Sequence, residues 1–249
     1  MIGSLLYVVW LYSWGIILGT IAIPALILPR RVTMWFIRLY ARLVLMGLRL
    51  FCGVKVEFRG QQHIPEGACL IAAKHQAMLD VFVPFLIFRD PIMVMKRELL
   101  WYPIFGWSAL RTGMLPIDRE GGAKTMKRML RAAAKLMPQS GGRQMVIYPE
   151  GTRVRPGAAP DYKAAGLRAF YKSLNVPLVP FATNAGLCWP AKGLKRTPGT
   201  IVYEVLPPIS VGENPKQVLV TLEEQLEAAC DTLLDEGLTV QGLTRTDLI

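Results

Sequence analysis

The chain has 249 residues, 52% of them apolar and 19% charged, against roughly 45–50% and about 25% in an average soluble domain. Lys and Arg outnumber Asp and Glu by 29 to 18, a net charge of +11. Such hydrophobicity excludes intrinsic disorder, which needs low hydrophobicity and high net charge together; apolar and basic at once points first to a membrane surface with anionic lipids and second to nucleic acid.

The first 29 residues carry no charged side chain. Read as one helix, that stretch is long enough to exceed a hydrocarbon core of about 30 Å. It lacks the basic flank of a signal peptide, so cleavage is not expected. Pro24 and Pro29 are expected to kink or end the helix. Trp10, Tyr12 and Trp14 lie in mid-segment, whereas interface rings normally flank a span, which favours a shallow or hairpin insertion over a clean crossing. Arg30 and Arg31 follow, then Arg38, Arg42 and Arg49 among Trp35, Phe36, Leu39, Leu43 and Leu50. A basic amphipathic helix beside an apolar one reads as an interfacial anchor. Residues 1–52 are therefore assigned to a two-helix membrane anchor and residues 53–249 to a catalytic domain.

From residue 54 onward, short apolar runs alternate with helical stretches. Strands are predicted at 54–58, 68–73, 92–95, 114–117, 145–148, 178–182 and 201–205, and helices at 78–89, 123–137, 163–174 and 215–235. This alternation argues for a single α/β domain with a central, largely parallel or mixed sheet flanked by helices. The charge is uneven: residues 213–249 carry −6 and the rest +17, which suggests a basic face with an acidic helix on the far side. Cys52, Cys69, Cys188 and Cys230 are widely spaced and only His63 and His75 complete the Cys/His set. A structural zinc site or disulfide framework is not expected.

Chemistry gathers after the strands. The strand at 68–73 leads into Lys74-His75-Gln76-Ala77-Met78-Leu79-Asp80. If His75 leaves the strand and Asp80 sits in the first turn beyond it, the carboxylate fixes one imidazole nitrogen and leaves the other as a base. Taken alone, a histidine five residues before an aspartate is better explained by coincidence. No G-x-S-x-G elbow supplies a nucleophile, so a base acting directly on a substrate hydroxyl is the simpler chemistry. The next strand ends in Gly113-Met114-Leu115-Pro116-Ile117-Asp118-Arg119, and a third delivers Tyr148-Pro149-Glu150-Gly151-Thr152-Arg153. An arginine ahead of a helix can hold a phosphate, although a surface pair of Arg119 with Asp118 explains that position equally well.

Taken in order, His75–Asp80, Gly113–Arg119, Glu150–Arg153 and Val176–Pro180 resemble the H-x4-D, G-x-x-P-I-D-R, E-G-T-R and V-P-x-x-P blocks of the glycerolipid acyltransferase family. Within it the likeness is to the bacterial 1-acyl-sn-glycerol-3-phosphate acyltransferases, over residues 54–205. Ala77, Val154 and Ala165 depart from the usual residues of that pattern, and none of them is a His, Asp, Glu or Arg position. The resemblance implies a glycerol-3-phosphate acyltransferase-like fold and transfer of an acyl group from a thioester to the sn-2 hydroxyl of lysophosphatidic acid. His75 is implied as general base and Asp80 as its orienting partner. Lys96, Arg119 and Arg153 are implied to hold the acceptor phosphate, with Glu150 and Gly151 placing the glycerol and Thr152 in the same substrate-binding set. No metal or prosthetic group is implied; acyl-CoA or acyl carrier protein enters as donor substrate. The expected setting is the cytoplasmic face of a bacterial inner membrane, with membrane lipids as partners and no nucleic acid. Rival readings are the same chemistry on lyso-ornithine lipid or a head-group lysophospholipid, and a non-catalytic lipid-binding protein.

Overall fold

The computed structural model describes residues 1–102, 104–117 and 122–248. The apolar N-terminal stretch stops being one helix well before Pro29. Helix α1 (Ile2–Ile21) ends ahead of Pro24, a single 3-10 turn covers Pro24–Leu26, and α2 (Arg30–Cys52) starts directly after Pro29. Proline lacks the N–H that a helix interior needs, so both prolines sit at ends. The two helices form an antiparallel hairpin. Trp10 Nε1 donates to the Leu43 carbonyl at 2.9 Å, and Tyr40 Oη donates to the Leu11 carbonyl at 3.0 Å.

This hairpin shares the core of the rest of the chain. Tyr7 meets Trp189 edge-on with ring centres 5.5 Å apart, and Ser4 Oγ accepts from the Arg196 N–H at 2.9 Å. Arg30 pairs with Asp90 and donates to the Thr112 carbonyl, while Arg38 donates to the Phe85 carbonyl. Only Ser4, Tyr7, Leu11 and Leu18 of α1 are buried. Its outer face, including Leu5, Val9, Tyr12 and Ile16, is bare apolar surface. Among the described residues it is the one helix long and apolar enough to cross a membrane.

Seven strands follow: β1 (Val54–Arg59), β2 (Cys69–Ala73), β3 (Pro91–Lys96), β4 (Leu115–Ile117), β5 (Gln144–Ile147), β6 (Leu178–Thr183) and β7 (Gly199–Val205). They form one sheet in the order β1-β7-β6-β2-β5-β3-β4. All neighbours are parallel except β6 and β7. Every residue of β2 is buried, as expected of a central parallel strand covered on both faces. Its side chains alternate: Cys69, Ile71 and Ala73 join α1 and α2 in one core cluster. Leu70 and Ala72 face the other, with α5 (Gly122–Leu136) and α6 (Ala164–Leu174). The long α7 (Pro215–Gln241) lies over β6 and β7 through Leu226, Cys230 and Leu233. The four cysteines are buried free thiols.

The helices need correction in three places. The predicted helix at 78–89 is broken into a 3-10 turn (Met78–Val81) and a single α turn, α3 (Pro84–Ile87), because Pro84 cannot donate within a continuous helix. Helix α7 runs six residues past the predicted end, to a left-handed cap at Gly242. An unpredicted helix, α4 (Phe105–Thr112), fills the connection between β3 and β4 after a 3-10 turn over Arg97–Trp101.

Candidate active site

Parallel strands deliver their carboxyl ends to one edge of the sheet, where ligands of α/β proteins bind. Here β2 runs into Lys74 and His75, β5 into Tyr148-Pro149-Glu150, and β3 ends at Lys96. The chain leaves β2 without entering a helix, so His75 is extended away from the sheet and the 3-10 turn brings Asp80 back to it. His75 Nδ1 lies 2.9 Å from Asp80 Oδ2. The same oxygen accepts the N–H groups of Gln76 at 2.6 Å and Ala77 at 2.8 Å. The other carboxylate oxygen, Oδ1, accepts the Tyr203 hydroxyl at 2.6 Å.

Asp80 is thus fully engaged and buried, with its direction set by two backbone N–H groups from the turn it closes. An ionised carboxylate only accepts, so Nδ1 of His75 carries the proton, and in the neutral ring this leaves Nε2 as the acceptor. The imidazole stacks on Tyr148 with ring centres 4.3 Å apart, and the Tyr148 hydroxyl donates to the Asp80 carbonyl at 2.6 Å. Burial, reinforced by the Asp80 charge, pushes both Tyr148 and Tyr203 well above the usual phenol range. Both therefore stay protonated donors. His75 is 15% exposed through its side chain while Asp80 is hidden, so the ring has one face on protein and an edge toward solvent. Removing only the Tyr203 hydroxyl (Tyr203→Phe) takes away one of four bonds that hold Asp80. Turnover is expected to fall about tenfold, as for loss of one hydrogen bond to a charged group, with acceptor KM unchanged; a steady-state comparison checks it.

The neighbouring side chain, Lys74, points to the opposite side of the chain. It is buried and held between two carboxylates: Glu150 Oε1 at 2.9 Å and both oxygens of Glu227 at 2.8 Å. Tyr162 Oη donates to Glu227 at 2.6 Å. Burial opposes the Lys74 charge, but the hydrogen bonds it donates to Glu227 and Glu150, with their negative charges, outweigh it and raise its pKa. For Glu150, burial prevails over Lys74 and the pKa is raised. The acidic helix α7 is therefore not remote from the basic part of the molecule: Glu227 reaches into this edge and bonds to Lys74.

The remaining sequence-predicted residues fall as follows. Glu150 is only 1% exposed through its side chain and is bonded to Lys74, so its carboxylate holds the turn from inside. Gly151 has φ +66, a left-handed conformation that suits glycine at this tight turn. Thr152 and Arg153 are exposed beyond it. The next residue, Val154, donates its N–H to the His75 carbonyl at 2.9 Å, which ties this loop to the histidine. Lys96 is exposed at the end of β3, on the same sheet edge. Arg119 lies outside the described residues. Sequence reasoning missed Tyr148, Tyr203, Lys74, Tyr162 and Glu227. Adjacency to His75 and Glu150 was a usable signal for Lys74 and Tyr148, but Tyr203, Tyr162 and Glu227 join only through the fold. Among the described residues no group of three His, Cys, Asp or Glu side chains is placed to hold a metal ion.

A profile of the family described as Acyltransferase matches residues 55–184, which include the His75–Asp80 turn and the Glu150–Arg153 loop. The chain is 31% identical over 230 residues to a 1-acyl-sn-glycerol-3-phosphate acyltransferase of Pseudomonas aeruginosa, covering 91% of this chain and 88% of that protein. It is 28% identical over 211 residues to the human 1-acyl-sn-glycerol-3-phosphate acyltransferase alpha, covering 83% and 72%. The crystal structure of the 1-acyl-sn-glycerophosphate acyltransferase PlsC from Thermotoga maritima superposes with a TM-score of 0.74 at 18% identity, over 92% of this chain and 97% of that one, and shares its fold. A profile spanning more than half the chain, and a relative this similar over nine-tenths of it, establish that the chain belongs to the acyltransferase family.

Proposed function

We propose that the protein transfers an acyl group from acyl-CoA or acyl carrier protein to the sn-2 hydroxyl of lysophosphatidic acid, giving phosphatidic acid. The observation that carries this reading is the His75–Asp80 pair, with the aspartate buried and the imidazole partly exposed. As the sn-2 oxygen attacks the thioester carbonyl, its proton passes to Nε2, and the imidazolium formed is stabilised by the Asp80 carboxylate. Collapse of the tetrahedral intermediate breaks the C–S bond, and the proton on Nε2 goes to the departing thiolate. No prosthetic group is called on. Arg153, Lys96 and Arg119 are proposed to hold the phosphate; Arg153 and Lys96 are exposed at the ends of β-strand connections on the site's edge, as an anion from solvent or membrane requires.

Membrane association is part of the same proposal. Helix α1 is paired along its length with α2, whose arginines bond to the catalytic body. A perpendicular crossing by α1 would strip that pairing, so the hairpin is proposed to lie in one leaflet with the catalytic domain on the cytoplasmic side. The acceptor is tested by supplying purified protein and a labelled acyl thioester with lysophosphatidate, lyso-ornithine lipid and head-group lysophospholipids. Lysophosphatidate is expected to be the best acceptor by at least tenfold, the discrimination a phosphate held by two or more cations supports. Preference for a lyso-lipid without a terminal phosphate would refute this assignment.

A further inference from the structure

We infer that the connection between β3 and β4 is a second membrane contact, which seats the site's edge on the leaflet beside the α1–α2 hairpin. The inference rests on the membrane-enzyme reading above and adds to it a surface outside the N-terminal hairpin. Helix α4 is built the wrong way round for a helix facing water. Its buried positions are the small residues Gly106, Ala109 and Thr112, while Phe105, Trp107 and Leu110 face outward. A Cβ on Gly106 would lie 2.1 Å from the Leu100 carbonyl oxygen, so the inward face has room for nothing larger. The turn ahead of it adds Trp101, 80% exposed, and Tyr102. Two of the chain's six tryptophans thus stand in the open within seven residues.

A soluble helix puts its large apolar side chains toward the core; this one presents them to its surroundings. Trp and Tyr with basic flanks match the composition of the membrane–water interface. Arg97 and Lys96 precede the patch and Arg111 follows Leu110, all of them exposed, which complements anionic head groups. The patch is also physically joined to the hairpin. Ile104 packs on Gly19 of α1, Arg111 donates to the Leu28 carbonyl in the α1–α2 turn, and α4 lies against α2. Exposed Ile27, Leu28 and Trp35 continue the apolar surface from the hairpin side. Because β3 is parallel to β5, the patch begins on the sheet edge that carries His75. One bilayer surface then meets both elements, and a lyso-lipid can reach the site from the leaflet without passing through water.

Two variants test this. In Trp101→Phe/Trp107→Phe, which keeps the apolar surface, vesicles of brominated phosphatidylglycerol should quench a smaller share of the tryptophan fluorescence than in wild type, because two lipid-exposed rings have been removed. A larger quenched share would place those rings in water and overturn the proposal. In Trp101→Ala/Trp107→Ala, turnover of long-chain lysophosphatidate presented in vesicles should fall roughly tenfold, the equivalent of losing about one large side chain from apolar surroundings. Turnover of a short-chain, monomeric lysophosphatidate should stay within about twofold of wild type, since chemistry is untouched. An equal fall on both acceptors would overturn it. If wild type acylates neither form, the acceptor assignment fails, and the quenching result still decides the membrane contact.

Discussion

His75→Ala leaves the protein folded and bound to vesicles and lowers acyl transfer by roughly 10²–10⁴-fold, the range a positioned general base contributes. The fold is expected to survive because His75 lies at the end of a strand with an edge toward solvent, and its ring makes one stacking contact and one hydrogen bond. The loss is chemical. A substrate hydroxyl is a poor nucleophile at neutral pH, and among the described residues the neighbouring carboxylates are engaged: Asp80 keeps three donors without the imidazole and Glu150 is held by Lys74. Acceptor KM should change little, because the phosphate is proposed to be held by other residues. Steady-state kinetics with lysophosphatidate, alongside circular dichroism and vesicle flotation, check all three statements. A variant retaining more than about a tenth of wild-type turnover would contradict the assignment of His75 as base.

Lys74→Met, one residue away, should fail in a different manner. It removes the cation shared by Glu150 and Glu227 and leaves a buried carboxylate without a partner, which costs about 3–5 kcal/mol. In a chain of this size that corresponds to a melting temperature lower by about 10 °C. The deficit has a definite pH dependence. Burial already raises the Glu150 pKa in the folded protein, and losing Lys74 raises it further. The folded variant therefore binds a proton that the unfolded chain releases, and its stability climbs as pH falls through that raised pKa toward the ordinary carboxylate range. Adding Glu150→Gln to Lys74→Met should restore a large part of the lost stability at neutral pH. Thermal melts of the single and double variants at pH 5 and pH 8 make the comparison. A single variant as stable as wild type at pH 8 would show that the cluster does not hold this edge together.

The sheet was legible because a buried parallel strand has a plain signature. Short runs such as Ile92–Met95 and Leu178–Ala182 alternate with helical stretches, and each becomes a strand. His75 and Asp80 were legible for another reason: alone the pair reads as coincidence, but it stands first in an ordered set of blocks that resembles a known family. Tyr203 completes the same cluster from β7, 123 residues further on, and only the strand order places it there. Glu227 is hidden in an acidic helix whose charges look solvated, yet one of them faces Lys74. Helix α4 was missed because its outward apolar face and small inward residues do not follow the usual amphipathic pattern. The helix predicted at 78–89 failed at Pro84, where an apolar run outweighed the backbone rule.

Acyl transfer to the sn-2 hydroxyl is tested most directly by where a labelled acyl group ends. Purified protein, lysophosphatidate and a labelled acyl thioester should yield phosphatidate carrying the label at sn-2, with about a hundredth of that yield or less from His75→Ala in the same time. Label found at another position of the lipid, or an unchanged yield from His75→Ala, would contradict it.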